Sequence, residues 1–266
     1  MSARLADRIR RTGTLLRNVA HVASFVAGDA GAQYGVGMLR RWKIVGAVRR
    51  NARQPGSAAS FLEHLTLVEA LLRVPRELQG DVAEFGCFKG MATASLSLVC
   101  ALIGRKLRVF DSFEGLPAPD EAVHNIDTGA EVKYKQGDYA GSLDEVRANV
   151  AKFGRIDVCE FVRGFFSDTL PQRPRDERYV LIFEDADLVS SARDVLTHAW
   201  PRLQPGCIFF CHEARDTEVV ALFFDRNWWR QTMGTDAPGL IGSGEGLPLS
   251  ANGSSLSYVR KANTER

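Results

Sequence analysis

Between residues 3 and 27, Leu5, Ile9, Leu16, Val19, Ala23 and Val26 recur at intervals of three, four or seven, the spacing of one helical face. Arg4, Arg8, Arg10, Arg11 and Arg17 fall mainly on the other side. Glycines from Gly28 to Gly37 interrupt that pattern, and a second basic stretch runs from Arg40 to Arg53. Residues 60–73 (SFLEHLTLVEALLR) read as another helix, opened by Ser60 with Glu63 three positions later, the pattern of a capping box. From residue 80 the texture changes. Short apolar runs at 81–86, 106–111, 157–163, 178–184 and 206–211 alternate with helical stretches at about 89–103, 143–153, 190–203 and 216–229. This alternation predicts a parallel sheet with helices on both faces. Two late strand-like pieces, near 238–242 and 255–260, bring the expected sheet to seven strands, mostly parallel. The expected architecture is a Rossmann-like α/β domain over 76–266, preceded by a helical extension over 1–75. Residues 115–141 form a long polar connection, and a loop of that length in a compact domain is usually functional.

Composition changes this picture in one respect. Hydrophobic residues at 45% and charged residues at 25% are ordinary for a globular chain, and 266 residues suffice for a sizeable core. The net charge of +2, however, conceals an asymmetry. Residues 1–53 hold eleven Lys/Arg and two Asp, whereas the remainder holds 23 basic and 30 acidic residues. Three readings compete for this basic arm. It packs or self-associates, giving a homodimer or higher homo-oligomer; it lies on a membrane surface; or it binds nucleic acid. The last is disfavoured because no aromatic residues are interleaved with the arginines. The five cysteines (Cys87, Cys100, Cys159, Cys207 and Cys211) are odd in number and form no CxxC pair, which suits a reducing cytoplasm. Cys207, Cys211 and His212 lack the paired clustering of a zinc site. No apolar run reaches the roughly 18–20 residues of a membrane span, and no secretory pattern opens the chain.

The first strand runs into Glu84-Phe85-Gly86-Cys87-Phe88-Lys89-Gly90 before a helix. A glycine at a strand end lets backbone approach a ligand, and a second permits tight strand–helix packing. The pattern is acid-x-Gly-x-x-x-Gly rather than GxGxxG, so it suits a ligand without a pyrophosphate. An adenosyl sulfonium fits that description, and its α-amino group would be attracted to an acid. A structural turn competes as an explanation for the glycines alone. Asp111 ends the second strand, where an acid hydrogen-bonds ribose hydroxyls. The two signals together point to an adenosine-containing cofactor and disfavour a nicotinamide dehydrogenase.

Asp111-Ser112-Phe113-Glu114-Gly115-Leu116-Pro117 resembles the DSFEGLP signature of the macrocin O-methyltransferase family. The stretch from Ser142 to Val150 resembles the family's SLEEVRxNF helix, and Gly164 to Pro171 its GWFKDTLP segment. The resemblance covers roughly residues 80–212. It implies a class I methyltransferase fold that uses S-adenosyl-L-methionine (SAM) on a small-molecule acceptor, with no nucleic acid partner. Glu84, Gly86, Cys87 and Gly90 would line the amino-acid end of the cofactor. Asp111 would hold the ribose beside Ser112 and Phe113, and Gly164, Phe165 and Phe166 would sit near the adenine. For Phe165 and Phe166, core packing is the competing reading.

The resemblance also implies a Mg²⁺ ion, held by aspartates after the fourth strand and an Asp-Asp pair after the fifth. Glu184-Asp185-Ala186-Asp187 matches the first motif, so Asp185 would be a ligand with Asp187 beside it. The second motif is changed: His212-Glu213 stands where the family has two aspartates. Magnesium favours oxygen donors, so Asp185, His212 and Glu213 would suit a softer ion such as Mn²⁺ better. Alternatively no metal is used, and His212 is a general base oriented by Asp185 or Glu213. Loop 115–141 would then cover the acceptor, with His124, Tyr134 and Tyr139 from the loop and Asp187 as substrate contacts. Three functions follow: O-methylation of a natural-product hydroxyl, a sugar hydroxyl included; metal-independent N- or carboxyl-methylation on the same fold; or non-catalytic binding of SAM or a partner.

Overall fold

The computed structural model describes residues 17–250 and 253–263. The predicted helix over 3–27 is helical from 17 to 27 (α1), and its earlier part lies outside the described residues. Two helices follow, α2 (Met38–Asn51) and α3 (Phe61–Leu72). The capping box of α3 is complete. Ser60 Oγ accepts from the Glu63 amide at 3.4 Å, and Glu63 Oε2 accepts from the Ser60 amide at 2.6 Å.

The βα alternation comes next: β1 (Asp81–Phe85), α4 (Met91–Ile103), β2 (Leu107–Asp111), a small hairpin of β3 (Val123–His124) and β4 (Glu131–Val132), α5 (Leu143–Phe153) and β5 (Cys159–Arg163). Then follow α6 (Phe166–Thr169), β6 (Tyr179–Glu184), α7 (Val189–Ala199), β7 (Leu203–Cys211), α8 (Thr217–Leu222), α9 (Arg226–Trp228) and β8 (Ser257–Arg260). The sheet order is β5-β2-β1-β6-β7-β8, parallel except for β8. All six residues of β6 are buried, which is why its sequence is a continuous apolar run and not an alternating one. Helices α2–α5 form one packed group and α6–α8 another.

Two expectations are corrected. The main sheet has six strands among the described residues, not seven, because 238–242 contributes only an isolated bridge from Ile241 to Tyr258. Gly239 and Gly242 flank that bridge at φ +70° and +95°, outside the extended region a strand requires. The helix predicted over 216–229 ends at Leu222, and the Asp225 carboxylate caps a separate turn by accepting from the amides of Asn227 and Trp228.

The N-terminal helices share the core of the sheet. Phe25, Val36, Val48, Leu65 and Leu71 belong to the same buried cluster as Val82, Phe110, Ile182 and Phe183. Buried Arg41 donates to the carbonyls of Val26, Ala30 and Val36, which satisfies a cation inside the extension. The chain builds outward from β1 to β5 and returns to β6, so strand order reverses between β1 and β6. Phe85 pairs with Phe110 and with Glu184, and Glu184 pairs with Cys211. Gly86, Asp111, Asp185 and His212 therefore leave the sheet at one level, at the place where open α/β sheets bind ligands.

Candidate active site

A cavity of about 610 Å³ opens at that reversal. Its β1–β2 end is lined by Gly86, Asp111 and Ser112, with Phe165 and Phe166 alongside. Gly86 sits at φ +83°, and a Cβ there would collide with the carbonyl oxygen of Asp185, so only glycine lets β1 and β6 diverge this closely. The Asp111 carboxylate accepts from the amides of Cys87 and Phe113, both at 2.7 Å, and thereby fixes the two turns that frame the cavity. Its pKa is raised by burial against these hydrogen bonds. Ser112 Oγ accepts from the Glu114 amide at 3.0 Å and donates to the Gly115 carbonyl at 2.7 Å.

The β6–β7 end is built from charge. His212 Nδ1 lies 3.1 Å from Asp185 Oδ1, and its Nε2 lies 3.7 Å from Glu63 Oε1. Burial opposes a charge on His212, but the carboxylates of Asp185 and Glu63 raise its pKa well above the ordinary imidazole value. Burial likewise opposes ionisation of Glu63, and the hydrogen bond and attraction of His212 overcome it, holding that carboxyl at about 2. His64, next in sequence to Glu63, is sealed in the core and kept neutral by burial at about 4. Glu213 Oε1 accepts from the amides of Ala186 and Asp187 at 2.8 and 3.0 Å, and its Oε2 accepts from Cys211 Sγ at 3.2 Å. Burial and neighbouring Glu184 push the Glu213 carboxyl strongly upward.

Asp187 follows at φ +61° and lines the cavity. Burial first, and repulsion from Asp185 second, raise its carboxyl far above the usual range. Phe88, Tyr139 and Asp187, three of the four described non-glycine residues at positive φ, line this cavity, and the fourth, Phe113, follows Ser112 in its wall. Strained backbone of this kind concentrates at functional sites. Tyr134 donates to Asp216 at 3.2 Å, with its phenol pushed upward by burial. The long loop is a tied-down roof. Asn125 bridges to Asp216, the Ile126 amide donates to the Arg215 carbonyl at 2.7 Å, and Gly137 and Leu116 close the loop on itself.

Of the residues singled out in the sequence, Gly86, Asp111, Ser112, Phe165, Phe166, Tyr134, Tyr139, Asp185, Asp187, His212 and Glu213 meet at this one cavity. The others stand back from it. Glu84 is fully buried with both oxygens unpartnered, and burial raises its pKa to about 8. Cys87, Gly90, Phe113 and Gly164 shape the walls from behind: Gly90 at φ +80° opens α4 against Val146, and the Gly164 amide donates to the Asp111 carbonyl. His124 turns away and pairs with Glu218 at 2.7 Å. Sequence reasoning took Glu63 only for a helix cap. Asp216, Asn125 and Ser255 were not singled out, and no local signal marks them, since each reaches the cavity through loop packing.

A divalent ion held by Asp185, His212 and Glu213 does not fit these side chains. Both Glu213 oxygens already serve as acceptors, and the two imidazole nitrogens each face a carboxylate. Among the described residues, the donor atoms of Glu184, Cys211 and Glu213 also lie within 4.8 Å of one another, in a buried group behind the cavity wall.

A family model described as Macrocin-O-methyltransferase (TylF) matches residues 62–235, well over half of the chain. The mycinamicin III 3''-O-methyltransferase of Micromonospora griseorubida is 33% identical over 190 residues, covering 62% of this chain and 73% of that enzyme. The 8-demethyl-8-(2,3-dimethoxy-alpha-L-rhamnosyl)-tetracenomycin-C 4'-O-methyltransferase of Streptomyces olivaceus is 36% identical over 131 residues, covering 48% of this chain and 50% of its own length. The chain thus spans about half the length of that relative. The structure of the O-methyltransferase NovP superimposes with a TM-score of 0.62 over 81% of this chain and 88% of that one, at 22% identity, which shows a shared methyltransferase fold.

Proposed function

The chain belongs to the macrocin-O-methyltransferase family, and from that premise we propose that it transfers a methyl group from SAM to a hydroxyl of a small natural-product acceptor, a sugar hydroxyl in particular. One observation carries this reading: a single cavity joins the Gly86–Asp111 turn to the carboxylates of Asp185 and Asp187. The adenosyl group lies against Gly86, Asp111, Ser112, Phe165 and Phe166. The acceptor occupies the end beneath Tyr134 and Tyr139. Methyl transfer is a displacement in which the acceptor oxygen bonds to carbon as the sulfur–carbon bond breaks and its electron pair returns to sulfur. The protein must therefore orient the acceptor and take up its proton. We assign the proton to Asp187, whose carboxyl is raised toward the neutral range by burial and by Asp185. His212 is a poor base, because its carboxylate neighbours favour the already protonated ring. One of the two relatives is named as an O-methyltransferase of a rhamnosyl tetracenomycin and the other of mycinamicin III, which supports the acceptor class.

Incubation with methyl-labelled SAM and a panel of deoxysugar glycosides tests the reading. Label on a glycoside oxygen, with S-adenosylhomocysteine (SAH) as co-product, is the expected result; label on nitrogen, or no melting shift with SAH, would overturn it. Two further points belong to the same proposal. Five unpaired cysteines support a reducing, cytoplasmic setting. Exposed Met38, Leu39 and Trp42 on α2 support a homodimer through the N-terminal arm, which light scattering at the monomer mass of 29.3 kDa would refute.

A further inference from the structure

The substitution of His212-Glu213 for two acidic ligands leaves a question the fold answers. A hard divalent ion at these strand ends needs anionic oxygens that are free to turn toward it. Here both oxygens of Glu213 and one oxygen of Asp185 are already engaged. Glu213 reaches back under the turn after β6 and accepts from the Ala186 and Asp187 amides, so it fixes the backbone that presents Asp187. Asp185 is met by His212 Nδ1 at 3.1 Å. The far side of the same ring faces Glu63, which is itself anchored. Glu63 Oε2 accepts from the Ser60 amide at 2.6 Å and its Oε1 from the Ser255 amide at 2.9 Å. Three segments distant in sequence, α3, the end of β6 and the end of β7, thus converge on one imidazole. The ring nitrogen facing Glu63 is buried without a closer partner, so nothing else in the cavity claims it.

We infer that the His212 side chain, clamped between Asp185 and Glu63, stands in place of a divalent metal at the ends of β6 and β7, and that this enzyme binds no such ion there. His212 is then a positioning residue that holds Asp185, and with it the Asp185–Asp187 turn, against the acceptor. The inference rests on the methyltransferase reading for its role in turnover, but its metal-binding content is independent of activity.

The test uses the full chain, stripped with a chelator and saturated with SAH. Mn²⁺ titrated to about ten times the protein concentration should show no stoichiometric loss of its free-ion electron paramagnetic resonance signal. The double variant His212→Asp with Glu213→Asp restores the acidic pair and should bind one Mn²⁺ per chain, with an SAH melting shift confirming that it is folded. Turnover of the unaltered enzyme should stay within twofold after chelation and after addition of Mg²⁺ or Mn²⁺. One Mn²⁺ bound per unaltered chain would overturn the inference. So would equal Mn²⁺ binding by parent and double variant, or a tenfold fall in rate on chelation that Mg²⁺ reverses. Absence of any SAH shift in the parent would instead sink the methyltransferase reading, which keeps the two failures apart.

Discussion

At the β1–β2 end of the cavity the ligand surface is mostly backbone: Gly86 at the strand tip, and two turns pinned to the Asp111 carboxylate. At the β6–β7 end it is side chains, with Glu63, Asp185, Asp187, His212 and Glu213 balancing charge over a short span. The first end tolerates no added volume, because a side chain at Gly86 runs into the Asp185 carbonyl. The second holds His212 between two carboxylates, those of Asp185 and Glu63. Backbone geometry, fixed by the fold, thus shapes the first end, and the balance of opposing charges shapes the second.

Four measurements would break or sharpen this contrast. The largest effect belongs to Asp187→Asn, which removes the proposed base from the charged end. It should lower kcat by about 10²–10⁴-fold, the usual worth of general base catalysis, with SAH affinity nearly unchanged in calorimetry. The parent rate should rise with pH, because Asp187 accepts a proton only when ionised and its pKa is raised. A rate within twofold of the parent in the Asn variant would remove Asp187 from the chemistry. Next, Gly86→Ala should destabilise the fold by on the order of 3 kcal/mol, from positive-φ strain together with the backbone collision. Thermal unfolding reads this, and an unchanged Tm would mean the two strand tips are less constrained than described. Third, Asp111→Ala should weaken SAH by about 1.5–3 kcal/mol, the worth of hydrogen bonds to a charged group. A change below a factor of three would separate Asp111 from the ribose.

The smallest effect concerns the ion pair. The Glu63 pKa falls from 4.5 in the unfolded chain to about 2 in the fold. A depressed acid stabilises the fold above its unfolded pKa, so this contribution is intact above 4.5 and lost as pH drops toward 2. Glu63→Gln should cost about 1–2 kcal/mol near pH 7 and flatten that acid limb in urea titrations. An acid limb of undiminished steepness would mean that Glu63 does not pair with His212.

The alternation of apolar runs and amphipathic stretches determined the α/β class, all six strands of the main sheet and the capping box at Ser60, because periodicity and capping are local properties of the chain. Gly86 and Asp111 were legible for the same reason, since they sit at strand ends and short turns dictate their residue types. The sequence also placed Asp185, Asp187, His212 and Glu213 near the cavity, but not which way they face. Only the tertiary structure turned Glu213 inward to the Ala186 and Asp187 amides, brought Glu63 from a helix cap to His212, sent His124 to Glu218, and dissolved the expected seventh strand into one bridge. Those outcomes depend on contacts between segments far apart along the chain. Burial and opposing charge, which set the protonation of each group, arise only when such segments meet.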